Sequence, residues 1–387
     1  MTRELGGTQA RAGGPFAGRQ PRQGPPQLPG RSRYAVRGLA VAAVLAAVLL
    51  TVRVVSSGWD ASLVPDRLSD FVTLSISVII ESLPFVFLGI LLSVVVRFWV
   101  PDWLIHRLLP RRLVLRRAAL SLLGVLLPVC ECGNVPLARG LMMKGLSVPE
   151  AMTFLLAAPI LNPVTIVTTY QAFGWDDGIL VGRIVGGFVI ANLVGWLFSL
   201  HPRPDDLLTP GFSAACKHEA AHAGHSHESG PGAGPGARRG LAGILSPTVR
   251  AAQRVKLRGA VVAFAEETSA MLPALVVGSA IAGAIQVGLS RDILLALGSN
   301  PIWSVLALMI LAFVIAICSN VDAFFILSFG GTFLPGGIVA FLVFGAMLDI
   351  KMVTLLRTTF TTATLVRLLI VVALASLALG FGVNLLA

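Results

Sequence analysis

The chain has 387 residues, of which 55% are hydrophobic and only 13% are charged. A soluble domain of this length could not bury so much apolar surface, whereas a lipid bilayer accepts apolar faces directly. The net charge of +11 comes largely from arginines that cluster in a basic tail or beside apolar runs. That distribution is typical of membrane-protein loops and excludes a nucleic-acid-binding surface. Composition therefore predicts a multi-pass protein whose first partner is the lipid bilayer.

The start of the chain divides into a tail and one apolar segment. Residues 1–33 are rich in Gly, Pro, Gln and Arg, and we predict a disordered basic tail. Residues 34–55 are apolar with an arginine near each end, which is typical of an N-terminal span with snorkelling side chains. A cleaved signal peptide is the alternative. Because no small-residue cleavage site follows, a retained span is favoured.

Further apolar runs follow, and several exceed the roughly 20 residues that cross a bilayer. We predict that they form a first membrane repeat at 71–200 and a second at 259–386, joined by a flexible Gly/Pro/His-rich linker at 201–257. The runs lie at 71–99, 113–145, 150–171, 179–200, 259–289, 302–334, 337–359 and 363–386.

The two groups of runs resemble each other, with an offset that stays within a few residues of 188. Cysteine, proline and Asn/Asp are rare in apolar helices, so their repetition argues against chance. We interpret the similarity as an internal duplication. The matched positions are Leu83-Pro84 with Leu272-Pro273, Gly89 with Gly278, Cys130 with Cys318, Asn134 with Asp322, and Asn162 with Asp349.

The charges of the loops constrain the topology. If every run simply crossed the membrane, the linker with its seven lysines and arginines would lie outside, against the positive-inside rule. If 113–145 enters and returns on one side, the linker is cytoplasmic and Asp176-Asp177 lies outside. We therefore predict a re-entrant or broken-helix hairpin at 113–145 and a second one at 302–334. Each repeat then has about three spans plus a hairpin, and the repeats are inverted, in an all-α polytopic fold.

The tripeptide Cys130-Glu131-Cys132 lies in the first predicted break. Where the backbone leaves the helix, two thiols at this spacing can reach one soft ion. Glu131 could neutralise a bound cation or carry a proton, since a carboxylate at membrane depth is costly. The alternative is that the cysteines are small buried hydrophobes and that Glu131 faces water.

Other polar residues near the breaks complete the predicted substrate site. Asn134 and Asp322 occupy matched places, where helix capping is the alternative role. Prolines flank Asn162, and Lys351 could neutralise Asp349. The predicted substrate-binding residues are Cys130, Glu131, Cys132, Asn134, Asn162, Cys318, Asn320, Asp322 and Asp349.

The linker carries a cluster of histidines that are candidate metal ligands, although a merely polar linker is the alternative. No Walker-type loop occurs, so we expect no ATP-driven pump, no enzyme and no cofactor. The expected partners are a small-molecule or ion substrate and, as a candidate assembly, a second copy of the chain in a homodimer. The candidate metal ligands are His218, His222, His225 and His227.

The segment Pro128-Val129-Cys130-Glu131-Cys132-Gly133-Asn134-Val135-Pro136 resembles the P-x-C-x-C-G-x-x-P signature of a bacterial family of permeases. The segments 158–163 and 318–324 fit the same family, and the resemblance covers about residues 70–386. The best-known members export trivalent organoarsenicals. The resemblance implies a secondary permease of the bacterial inner membrane that exports a thiophilic metal or metalloid species. Glu131 departs from the family pattern, in which a small polar residue is frequent there, and this argues against an uncharged metalloid.

Three other functions remain as alternatives. A membrane thiol oxidoreductase could use Cys130 and Cys132, although no quinone, haem or partner-dithiol signature accompanies them. A permease for an unrelated small solute would use the same fold without the thiols. A membrane-bound sensor or assembly factor is the third alternative.

Overall fold

A computed structural model describes residues 66–101, 104, 107, 109–126, 129–175, 178–225, 247–288, 301–329 and 333–386. Within these ranges, side chains are described except at 66, 220–225, 247–252 and 301–302. The predicted tail at 1–33, the predicted span at 34–55 and the loop residues Asp176-Asp177 lie outside the described part of the chain.

The described residues form α-helices and one short 3-10 turn, without a β-strand. By length and composition, five segments can cross a membrane: Arg67–Trp99, Ile179–Ser199, Gln253–Gly288, Pro335–Leu356 and Thr362–Leu386. The prediction of an all-α polytopic membrane protein is confirmed. The helices are α1 (Asp66–Trp99), α2 (Leu113–Leu126), α3 (Glu131–Met143), α4 (Val148–Ala157), α5 (Pro163–Phe173), α6 (Ile179–Ser199), α7 (Pro210–His225), α8 (Pro247–Gly288), α9 (Pro301–Ile315), α10 (Asp322–Leu327), α11 (Pro335–Met347), α12 (Ile350–Leu356) and α13 (Thr362–Leu386).

The long helices run between two ends of a bundle. α1 and α8 are antiparallel neighbours, because Phe98 packs at Gly259 while Ser75 packs at Gly283. α6 ends at Ser199, next to the segment that continues into the linker. We refer to the end that carries Phe98 and Ser199 as the linker end, and to the other as the opposite end.

The segment 113–143 forms the hairpin that the sequence predicts. α2 begins at the linker end, where Arg117 donates to the Ser199 hydroxyl at 3.2 Å. α2 stops at Leu126, and α3 then runs from Glu131 to Met143. The next helix begins near Glu150, whose carboxylate pairs with Arg116 at 2.7 Å. The start of α2 and the end of α3 therefore lie at the same end of the bundle.

The second hairpin, 301–329, breaks between Ile315 and Asp322, and its short arm α10 packs against α5. Two of the crossing segments are also broken. α4 and α5 are separated at 158–162, and α11 and α12 at 348–349. Such breaks leave backbone groups and polar side chains at membrane depth. They are tolerated there only where protein or a water-filled cavity surrounds them.

The polar residues at these two breaks have one local role in common. Asn162 caps α5 by accepting from the Val164 N–H at 2.9 Å. Asp349 caps α12 by accepting from the Met352 N–H at 2.5 Å. The two matched positions of the sequence therefore make equivalent contacts, while the inverted-repeat relationship itself stays a prediction.

Much of the linker is ordered, contrary to the expectation of flexibility. Pro204–Leu207 forms a 3-10 turn, and α7 follows it. Leu208 pairs with Phe360 in an isolated antiparallel bridge, and the Thr209 N–H donates to the Thr359 carbonyl at 2.9 Å. These backbone bonds hold the segment against the start of α13, so the expectation is wrong for 204–225. It is also wrong for 247–257, which begins α8. The stretch 226–246 lies outside the described residues.

Two matched glycines allow helices to pack at backbone distance. A Cβ atom on Gly89 of α1 would lie 2.1 Å from the carbonyl oxygen of Gly133 on α3. A Cβ atom on Gly278 of α8 would lie 2.1 Å from the Thr354 hydroxyl and 3.1 Å from the Cα of Lys351 on α12. Small residues permit this close association of membrane helices. Both glycines thereby fix helices that carry residues of the site described below.

We expect Gly89→Ala to destabilise the detergent-solubilised protein by about 1–3 kcal/mol, because the added methyl group meets backbone atoms that cannot rotate away. Gly382→Ala is the matched control, since no described residue beyond its chain neighbours and its own helix backbone comes within 4 Å of the added Cβ. That change should be neutral or slightly stabilising. Melting temperatures from size-exclusion profiles after heating test both, and an unchanged value for Gly89→Ala would contradict the close contact.

Candidate functional site

The tips of the two hairpins meet inside the bundle. Cys130 is the N-cap residue of α3, with an extended backbone at φ −72° and ψ 173°. Cys318 lies in the break before α10. One ligand atom each from Cys130, Glu131 and Cys318 lies within 4.8 Å of the other two, and all three residues are buried. We refer to these three residues as the tip cluster.

Cys132 places a third thiol next to the tip cluster along the chain, in the first turn of α3. Cys132 is fully buried, and all three cysteines are free of disulfide bonds. The sequence predicts Cys130, Cys132 and Cys318 as substrate-binding residues, and the structure brings Cys130 and Cys318 together from the two hairpins.

Glu131 is held by a hydrogen bond and an ion pair from the second half of the chain. The Ser319 hydroxyl donates to Oε2 at 3.1 Å, and the Lys351 ammonium donates to Oε1 at 3.4 Å. Lys351 also lies 3.8 Å from Asp349 Oδ2, so its nearer carboxylate is Glu131 and not the Asp349 that the sequence suggested. A buried carboxylate without such partners would cost several kcal/mol.

The backbone of the second tip is strained at Ala316. Its φ is +53°, in the left-handed region, which costs a residue with a side chain about 1–2 kcal/mol. This turn presents the Ala316 carbonyl to Lys351, which donates to it at 3.1 Å. Strain of this kind persists only where the surroundings impose it. The Lys351 contact is thus one of the forces that shape the tip.

Asp322 makes a bidentate ion pair with Arg183 of α6. The guanidinium donates to Oδ1 at 2.9 Å and to Oδ2 at 2.6 Å. It also donates to the Thr169 hydroxyl at 2.7 Å and to the Ser319 carbonyl at 3.3 Å. Asp322 is therefore a partner of Arg183 and not a helix cap, and Val321 is the N-cap residue of α10.

The three predicted asparagines lie around the tips without joining the tip cluster. The side-chain amides of Asn134 and Asn162 both point at the Val129 carbonyl, at 3.5 Å each. The capping role considered for Asn134 is wrong, because Cys130 occupies the N-cap and Asn134 lies one turn inside α3. Asn320 is half-buried and accepts from the Thr165 hydroxyl at 3.2 Å.

His218, the linker histidine whose side chain is described, is separate from the tip cluster. His218 lies on α7 and lines a cavity of about 590 Å³ at the linker end, beside Arg139 and Glu267. His222 and His225 belong to the same helix, and their side chains are not described. His227 lies outside the described residues. The metal-binding role predicted for this set stays a prediction.

Among the described residues, three buried ion pairs connect the two halves of the membrane region. Arg139 of α3 pairs with Glu267 of α8 at 2.5 Å and also bonds to the backbone of Thr358. In each pair, one charge comes from the first half and its partner from the second. Arg183 and Arg139 were not among the predicted residues, although a charge inside an apolar run is itself a signal. The pairs are Glu131 with Lys351, Arg139 with Glu267, and Arg183 with Asp322.

Removing one partner of a buried pair leaves the other charge uncompensated, at a cost of about 3–5 kcal/mol. We therefore expect Arg183→Met to lower the melting temperature strongly and Arg183→Met with Asp322→Asn to recover most of the loss. Thermal unfolding in detergent tests this expectation. A double variant as unstable as the single one would show that the pair is not the reason for the destabilisation.

Comparison with known proteins agrees with the fold. A family described as "Predicted permease" matches residues 67–385. The UPF0718 protein YcgR of Bacillus subtilis is 33% identical over 285 residues, covering 74% of this chain and 87% of the relative. A Streptococcus mutans protein, provisionally named a two-component membrane permease complex subunit, is 27% identical over 299 residues, covering 77% and 89%. No solved structure matches. The chain belongs to this family of predicted permeases.

Proposed function

We propose that the chain is a secondary permease that exports a thiophilic metal or metalloid species, and that the tip cluster binds this cargo. The observation that carries the proposal is the convergence of Cys130, Glu131 and Cys318 from two separate hairpins within 4.8 Å. Two thiols and a carboxylate, gathered from positions 188 residues apart in the sequence, form a donor set for a soft ion.

The separation of the donor atoms supports a bound ion. Ligands of a tetrahedral ion lie about 3.8 Å apart when each metal–sulfur bond is about 2.3 Å. The 4.8 Å limit on the tip cluster requires only a small contraction to reach that geometry. Each thiol that becomes a ligand releases its proton, so binding of the cargo is coupled to proton movement.

The position of the tip cluster supports transport. Hairpin tips and broken helices at membrane depth are a recurring design of substrate sites in secondary transporters. The antiparallel packing of α1 against α8, one helix from each half, is compatible with two inverted halves. A hinge at each tip would let one half move against the other and expose the site to either side in turn.

A membrane thiol oxidoreductase is disfavoured by the burial of its thiols. Cys130, Cys132 and Cys318 are at most 4% exposed, whereas a redox-active thiol must be reached by its partner. The name of the Streptococcus mutans relative refers to a complex subunit, and we propose that this chain also assembles with a further chain, for which a second copy in a homodimer is the candidate.

The proposal predicts the ranking of cysteine variants. Cys130→Ser and Cys318→Ser replace soft ligands with hard, weakly acidic ones, so export of a thiophilic probe into everted vesicles should fall about tenfold or more. Cys132→Ser should have a smaller effect if its thiol only supports that of Cys130. Wild-type rates in a Cys130→Ser, Cys318→Ser double variant, at matched expression, would refute the thiol site.

Cys216→Ser is the control for these variants. Cys216 lies on α7 at the linker end, outside the membrane-spanning segments, and burial raises the pKa of its thiol. A protonated thiol is a poor ligand at neutral pH, so the control variant should transport at the wild-type rate.

We also propose that the linker end faces the cytoplasm, as its basic residues favour. Two exposed positions mark the two ends. The Asp205 side chain at the linker end is 63% exposed, and residue Trp175 at the opposite end is also 63% exposed. In a Cys216→Ser background, an impermeant maleimide added to whole cells should label Trp175→Cys and spare Asp205→Cys. The reverse pattern would show that the chain is oriented the other way.

A further inference from the structure

We propose that Lys351 is a built-in competitor of a cationic cargo. The ammonium group and the cargo bind Glu131 in mutually exclusive states, and Asp349 pairs with the ammonium group while the cargo is bound. This inference rests on the proposed function and deepens it, because it assigns a positive charge to the transported species.

The contacts of Glu131 limit what a cargo can use. Oε2 is engaged by the Ser319 hydroxyl at 3.1 Å, and Oε1 by Lys351 at 3.4 Å. A metal ion held by the thiolates of Cys130 and Cys318 finds one Glu131 oxygen engaged by the Ser319 hydroxyl and the other by the Lys351 ammonium group. The ion and the ammonium group thus compete for Oε1, and coordination of the ion by this oxygen displaces the ammonium group.

Asp349 provides the place to which the ammonium group can withdraw. Its Oδ1 caps α12, but its buried Oδ2 accepts no hydrogen bond from any described residue. That oxygen already lies 3.8 Å from the Lys351 nitrogen. The long, flexible lysine side chain can cover such a distance by rotation of its own bonds, while Gly278 keeps the backbone of α12 fixed against α8.

The exchange has two consequences for transport. Lys351 weakens the binding of a cation, since each binding event breaks the contact with Glu131. The same lysine assists release, because its return to Glu131 displaces the cargo. A neutral metalloid would need only the thiols and would leave the Lys351–Glu131 pair intact. Dependence of affinity on Lys351 therefore distinguishes a cationic cargo from a neutral one.

The test measures equilibrium binding of two probes, Cd²⁺ and neutral phenylarsine oxide, to the purified full-length chain in detergent. We expect Lys351→Met to bind Cd²⁺ about tenfold more tightly and to export it more slowly at saturation. Asp349→Asn should bind Cd²⁺ about tenfold more weakly. Binding of phenylarsine oxide should change by less than about twofold in both variants, since no charge is displaced.

A double-variant cycle separates competition at Glu131 from a general effect of charge. If Lys351 acts through Glu131, the gain from Lys351→Met should nearly vanish in a Glu131→Gln background. If the gain is the same in both backgrounds, the competition mechanism is overturned. If Lys351→Met alone fails to fold, the Cd²⁺ affinity of the double variant Glu131→Gln with Lys351→Met is compared with that of Glu131→Gln. Asp349→Asn then tests the role of Asp349 as acceptor of the ammonium group.

The outcomes distinguish this inference from the proposed function. Wild-type protein that binds neither probe through its cysteines contradicts the thiol site itself. Wild-type protein that binds phenylarsine oxide but not Cd²⁺ leaves the thiol site standing and overturns the cationic cargo. Unchanged Cd²⁺ affinity in Lys351→Met overturns the role of Lys351 alone.

Discussion

The pairing of buried charges between the two halves is the constraint on which the rest of the membrane region depends. A charge at membrane depth is tolerated only beside an opposite charge or a set of hydrogen-bond partners. Each of three charges on the first half meets that requirement with a partner on the second. The halves therefore cannot separate without exposing uncompensated charge, and the pairs hold the two hairpin tips together. They are Glu131–Lys351, Arg139–Glu267 and Arg183–Asp322.

This arrangement divides the polar residues near the tips into two groups. Asn162 and Asp349 serve the backbone, since each caps the second part of a broken crossing. Their capping satisfies amide groups that the breaks would otherwise leave without partners. The thiols of Cys130 and Cys318 do not cap a helix, and in the proposed function they are the donors for a soft ligand. In that proposal, the site and the scaffold use different side chains at the same depth.

The sequence predicts the features that depend on local pattern. The apolar runs, their interruptions and the matched cysteines are all visible along the chain, and each corresponds to a helix, a break or a tip. Pairings across long separations are not visible in this way, which is why the contact of Lys351 with Glu131 and the role of Arg183 were missed, whereas the expected contact of Lys351 with its near neighbour Asp349 is present. The order of residues 204–225 was also missed, because it depends on bonds to 359–361 and not on composition.

The long-range ion pairs also bear on how the protein is made. Glu131 and Lys351 are 220 positions apart, and Arg183 and Asp322 are 139 positions apart. A chain that grows from its N-terminus delivers the first member of each pair to the membrane long before the second is synthesised. Until then, those charges lack the partners that compensate them in the folded protein, and an unpaired charge at membrane depth is costly. The pair of Glu131 with Lys351 can form only after α12 has been synthesised, so this contact of the tip cluster is a late one.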